Sequence, residues 1–293
     1  MSQIDIQAEV EEILRSYDFS APEATAARLR DLWLRFEPKS IEGIKAEQRA
    51  LQETVGIPVP VLRDIAKAIT KPARQRVPDY LPLLRLLWDA YGREGRVVAL
   101  IPLGALELKA PDVIVPLLRE LCLTCLTWED ADRLAMDALE PIVRKQPEAW
   151  LPAVESWLDD SNKWVQRAAV TVLGRLAMKD ARYTRRALQG AERLLLAEDH
   201  DVRRAVSFAI RLAARGEVGP VVDFLARQVP PADPAATWVL CDVIRSMAAK
   251  LLPEFVSLLP AYEQWGADET LSATDRRSIA SAVKKLQDAQ AGG

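Results

Sequence analysis

Residues 161–177, SNKWVQRAAVTVLGRLA, and residues 199–216, DHDVRRAVSFAIRLAARG, read as two versions of one segment. Each opens on a short polar turn and then carries small and aliphatic residues at three- and four-residue spacing. In each, a valine (Val165, Val202) precedes a basic pair or Gln-Arg. ATWVLCDVIRSMAAK (236–250) follows at a similar interval, and EGRVVALIPLGALELK (94–109) and TWEDADRLAMDALEPIV (127–143) precede them at comparable spacing. Spacing of this kind predicts amphipathic helices. Each has another apolar helix before it, so the unit is a helix–turn–helix of roughly 35–40 residues, the period of HEAT-like solenoids. Strand signals are nearly absent, and prolines stand near the starts of segments such as PDVIVPLLRELCL and PEAWLPAVESWL, where a helix tolerates them. The expected fold is all-α: a right-handed α-solenoid of HEAT-like repeats whose equivalent helices pave a concave face. Residues 1–255 form the repeat domain, and 256–293 a C-terminal helical extension packed on it and ending in a frayed tail.

The composition fits a folded chain: 49% of the 293 residues are hydrophobic and 28% charged. The acidic N-terminus, MSQIDIQAEVEEILRS, has no signal-peptide character, and VVALIPLGAL (97–106) is too short to span a bilayer. Three cysteines and no export signal point to the cytoplasm. Net charge is −3, yet residues 161–215 hold 12 basic side chains against 5 acidic ones. Arginine dominates that block and suits bidentate phosphate contacts; a solvated helical surface explains it equally well on charge alone.

Several motifs are absent or structural. Cys122 and Cys125 form a CxxC with no second pair, so Cys and His supply no four-ligand zinc site, and both cysteines read as core. His200 is the only histidine, which excludes a Ser-His-Asp triad, and it reads as a turn or capping residue. No phosphate-binding glycine motif appears, so neither a nucleotide nor another cofactor is expected. KPARQR (71–76) reads as a short basic loop, either a solvated turn or a phosphate contact. The tryptophans at 33, 88, 150, 157, 164, 238 and 265 mostly follow the packing pattern.

Trp128 and Asp132 stand apart. They lie four residues apart on one face of a helix that Thr127 can cap. Asp132 precedes Arg167 by about one repeat, and Arg204 follows Arg167 by another, with Phe208 a turn further on. Repeat spacing therefore brings Trp128, Asp132, Arg167, Arg204 and Phe208 to one patch, flanked by Lys163, Arg175 and Arg211.

At these residues the sequence resembles the AlkD-type DNA alkylation repair glycosylases, which are built of HEAT-like repeats. The likeness begins at VGIPVPVLRDIAKAI (55–69), continues through Trp128 and Asp132, SNKWVQRAAV and RRAVSFAIR, and covers roughly residues 10–250. It implies a catalytic cleft at Trp128 and Asp132, with Phe208 where the family has a second tryptophan. It also implies DNA-backbone contacts at Arg167, Arg175 and Arg211. The implied activity is monofunctional hydrolysis of the N-glycosidic bond of N3- or N7-alkylated purines in double-stranded DNA, without base flipping, by a monomer. Two alternatives stand beside it: a catalytically silent paralogue that binds damaged or branched DNA, for which Phe208 argues, and a HEAT scaffold that binds another protein.

Overall fold

A computed structural model describes residues 4–38, 51–106 and 110–292. Glu107, Leu108 and Lys109, the end of one repeat segment, lie outside the described residues. Among the described residues there is no strand, and no helix is long and apolar enough to cross a membrane. The chain divides into two compact units, residues 1–150 and 151–293.

The first unit contains α1 (Ile6–Arg15), α2 (Pro22–Trp33), α3 (Val59–Gln75), α4 (Val77–Ala90), α5 (Gly92–Ala105), α6 (Pro111–Leu123) and α7 (Trp128–Arg133). A π-helical turn, Leu134–Leu139, joins α7 to α8 (Glu140–Lys145). One layer is made by α1, α3, α5 and the π turn packed side by side, with α2 and α4 packed together in the other. Prolines sit at the first or second position of α2, α3, α4 and α6, where the missing N–H costs nothing.

The division between the units falls within α9 (Pro147–Ser156). The second unit continues with α10 (Lys163–Lys179), α11 (Thr184–Arg193), α12 (His200–Gly216), α13 (Gly219–Gln228) and α14 (Thr237–Arg245). A 3-10 segment (Ala249–Leu258), α15 (Leu259–Gly266) and α16 (Ala273–Ala291) complete it. Helices α10, α12, α14 and α16 stack side by side, while α11 and α13 form the other layer. The fold is thus an all-α helical-repeat arrangement within each unit, as the repeat spacing predicts. Residues 256–291 belong to the second unit, and Ser272 caps α16, which stays helical to Ala291 and packs on α14 and α15.

Side-chain caps mark the repeat. Thr127, Asn162 and Asp199 each accept backbone N–H groups at the starts of α7, α10 and α12, satisfying donors that a helix N-terminus leaves open. Helix α10 is buried around most of its circumference. Its contact with α12 depends on Gly174, where a Cβ would lie 2.6 Å from the Ala209 Cα and 3.0 Å from its carbonyl oxygen. The same device recurs in the first unit, where a Cβ on Gly104 would lie 2.7 Å from the Ala138 Cα. Because those neighbours are backbone, they cannot turn aside. Gly174→Ala should therefore lower stability by about 1–3 kcal/mol, read as a shift in the urea midpoint with little change in the slope.

Candidate nucleic-acid interface

The first unit holds Trp128 and Asp132. Thr127 opens α7 with a reciprocal capping box: its hydroxyl accepts the Asp130 N–H, and the Asp130 carboxylate accepts the Thr127 N–H. That carboxylate also accepts the Leu126 N–H at 3.0 Å and meets Arg96 Nη1 at 2.6 Å. Arg96 donates in addition to the Thr124 carbonyl at 3.2 Å, and its guanidinium lies 4.7 Å from the centre of the Trp88 ring. With Arg96 7% exposed and Asp130 3%, this is a buried ion pair whose remaining hydrogen-bonding groups are largely used. It bolts the start of α7 to α5. One turn further, Asp132 is 7% exposed and not without a partner, while Trp128 is half-buried.

Just beyond Asp132 the helix widens. The Glu140 N–H donates to the Ala135 carbonyl, five residues back, which defines the π turn. Such turns inside helices are frequent at functional sites. A second ionic chain flanks it: Glu129 is held by Arg93 at 2.9 Å and Arg133 at 2.7 Å, and Asp137 receives Arg133 at 3.7 Å and Arg63 at 3.4 Å.

Burial works to raise the Glu129 pKa, but Arg93 and Arg133 outweigh it and hold the carboxyl below its ordinary value of 4.5. A depressed folded-state pKa stabilises the fold fully above about pH 4.5, and that gain fades as pH falls through the folded value. Glu129→Gln should thus cost about 1.5–3 kcal/mol at pH 7. The difference from wild type should shrink as denaturant midpoints are followed down from pH 6 to 3.

The remaining candidates lie in the second unit, on the packed pair α10 and α12. Arg167 is only 4% exposed, and its Nη1 donates to the Asp201 carbonyl. Lys163 is engaged by Asp199 at 3.2 Å and Asp201 at 3.1 Å and lies 4.4 Å from the Trp164 ring centre. Much of its charge is therefore met within the unit, and it is less available to a phosphate than the sequence suggests. Arg175, Arg204 and Arg211 differ: among the described residues none forms an ion pair with a carboxylate. Arg211 donates to the carbonyls of Ser207 and Ser246 at 3.3 and 3.2 Å, and its guanidinium sits 5.6 Å from the Phe208 ring centre. Burial lowers its pKa, Asp242 works the other way, and Arg215 and Arg204 lower it further. Crowded guanidinium groups of this kind gain by the arrival of an anion. The structure thus places Trp128 with Asp132 on one helix, and Arg204, Phe208 and Arg211 along another.

Two sequence expectations are corrected. KPARQR is not a loop: Lys71 to Gln75 complete α3, and only Arg76 stands outside it. Burial of Ile69 and Ala73 keeps the helix going despite Pro72. His200 does not cap; Asp199 does, and His200 is the first residue of α12, with its ring edge-on to Trp238 at 4.8 Å. The CxxC is core as expected: Cys122 and Cys125 are free thiols and buried, and burial raises the Cys125 pKa well above its ordinary value. Sequence reasoning missed Arg93 and Arg96. Their signal was an arginine pair on the helix one repeat before two acids, Glu129 and Asp130.

Capped, repeated helix pairs, with an aromatic–carboxylate helix in one unit and an arginine-rich pair in the other, define a helical-repeat protein. The chain belongs to the DNA alkylation repair enzyme family, whose model matches residues 31–240. No curated protein matches it. Among solved structures, it is similar to smu.31 from Streptococcus mutans UA159, at 18% identity over 65% of this chain and 99% of that one, with a TM-score of 0.48. An engineered protein aligns at 12% identity over 98% of each chain, with a TM-score of 0.33. A designed armadillo repeat protein in complex with a (KR)4 peptide aligns at 15% identity over 97% of this chain and 100% of its own, with a TM-score of 0.35.

Proposed function

We propose that the protein is a monofunctional DNA glycosylase that hydrolyses the N-glycosidic bond of N3- and N7-alkylated purines in double-stranded DNA. The observation that carries this reading is Asp132, secluded on a helix whose start is fixed by the Arg96–Asp130 pair, one turn from a half-buried tryptophan, in a chain of this family. An alkylated purine is already cationic, so the C1′–N bond breaks with its electron pair leaving on a neutral base. The sugar left behind is oxocarbenium-like. A carboxylate held away from water stabilises that charge best, and Asp132 fills the role while orienting the water that adds to C1′ and releases its proton. Trp128 and Phe208 wall the deoxyribose with their π-faces. Arg167, Arg175, Arg204 and Arg211 take backbone phosphates, and Lys163 makes a weaker contact. The lesion needs little acid catalysis, so no pocket is required to protonate the base, and in this reading excision proceeds without base flipping. The enzyme works as a cytoplasmic monomer without a cofactor; residues 1–255 carry the activity, and 256–293 extend the stack.

Phe208 favours a second reading, binding without excision. Incubating the purified chain with 7-methylguanine-containing duplex separates the two. Release of free 7-methylguanine is expected; tight, salt-sensitive binding with no released base would select the silent paralogue. A protein scaffold would show neither.

A further inference from the structure

The first unit carries a cationic stripe that the proposed cleft does not use. Arg63, Lys67, Lys71 and Arg74 fall at i, i+4, i+8 and i+11 of α3, and all are exposed. At the helical rise they cover about 16 Å along one face. Lysines four apart repel one another, a cost that a helix surface usually offsets with interleaved acids. Here Asp64 lies 2.9 Å from Lys67 and Asp137 3.4 Å from Arg63, and Asp5 and Glu11 from the α1 side border the stripe, but among the described residues Lys71 and Arg74 form no ion pair with a carboxylate. Arg74 is not loose, because its Nε donates to the Ala105 carbonyl at 2.9 Å, which fixes the guanidinium at the end of α5. Beside it lies a groove of about 660 Å³ lined by Lys67, Thr70, Lys71, Arg74, Gln75, Val77 and Pro78, with no acidic residue among the described residues of its wall. At its other end the stripe meets the candidate site, since Arg63 reaches Asp137 of the π turn at 3.4 Å.

We propose that this stripe is a second seat for the backbone of the DNA duplex, holding the phosphates of the arm that leaves the lesion across α3. A duplex presents one negative charge per about 1.7 Å of its axis, so a stripe of this length faces several phosphates at once. Thr70 and Gln75 add neutral hydrogen-bonding groups, and no base-reading geometry is needed. The proposal rests on DNA being the substrate but not on the identity of the lesion.

The double variant Lys71→Gln/Arg74→Gln, made in the full chain, tests it. Both side chains are exposed, so circular dichroism and thermal unfolding should match wild type. Affinity for a duplex extending well beyond the lesion on both sides should fall about tenfold at low salt. The slope of log affinity against log salt should shrink by about 0.9 for each phosphate the variant no longer neutralises. Single-turnover excision at saturating protein should not change. An unchanged affinity and slope would overturn the proposal while leaving wild-type excision, and with it the glycosylase reading, intact. A wild-type protein that excises nothing but shows the same loss on mutation would uphold the stripe and sink the glycosylase. Retention of polyglutamate with no affinity for duplex would reject the DNA seat outright.

Discussion

Asp132→Asn should slow release of 7-methylguanine by about 10²–10³-fold while leaving duplex affinity nearly unchanged. The substitution keeps shape and volume, so at a position 7% exposed it alters charge without opening a cavity. What it removes is a full negative charge that matters little to the bound ground state and much to the cationic sugar as the bond breaks. Loss of rate without loss of affinity is the signature of an interaction made mainly in the transition state. The measurement is single-turnover excision beside an equilibrium binding curve, with circular dichroism to check the fold. If the variant excises at the wild-type rate, Asp132 has no catalytic role.

The largest stability effect is expected at Arg96, which is buried against Asp130. Arg96→Met leaves Asp130 a buried carboxylate stripped of its paired cation, and it abandons the Thr124 carbonyl and the stacking on Trp88. Breaking a buried pair from one side costs about 3–5 kcal/mol. The double variant Arg96→Met/Asp130→Asn should recover part of that loss, because a neutral amide no longer needs the cation and can still accept the Thr127 N–H. Urea midpoints of wild type, both single variants and the double give the coupling between the two residues. Additive losses would show that the pair does not act as a unit.

Much of the fold was legible because it is periodic. Thr127, Asn162 and Asp199 are cap-type residues, each followed by an apolar helical pattern, and a repeated local signal of that kind survives in sequence. Lys163 shows where legibility ends. As a residue type it is a phosphate hook, but Asp199 and Asp201 hold it, and that is a matter of tertiary distance. Arg96 shows the converse: it ends the polar run GREGR (92–96) with nothing local to explain its role, and its partner is one repeat away. The KPARQR stretch misled because proline and charge are local loop signals, whereas the burial of Ile69 and Ala73 that sustains the helix is not local.

The π turn at Leu134–Leu139 carries a consequence for how such chains can change. It stores one more residue per turn than an α-helix, and each α-helical residue turns the chain by about 100°. A single-residue deletion there would let the hydrogen bonds close in the ordinary register and leave Asp132 and Trp128 near their present angle about the axis relative to α8, whereas the same deletion within an α-helical turn would rotate them by about 100°. The widened turn is therefore a slack point in the chain, where a one-codon loss can be absorbed with the aim of the acid kept.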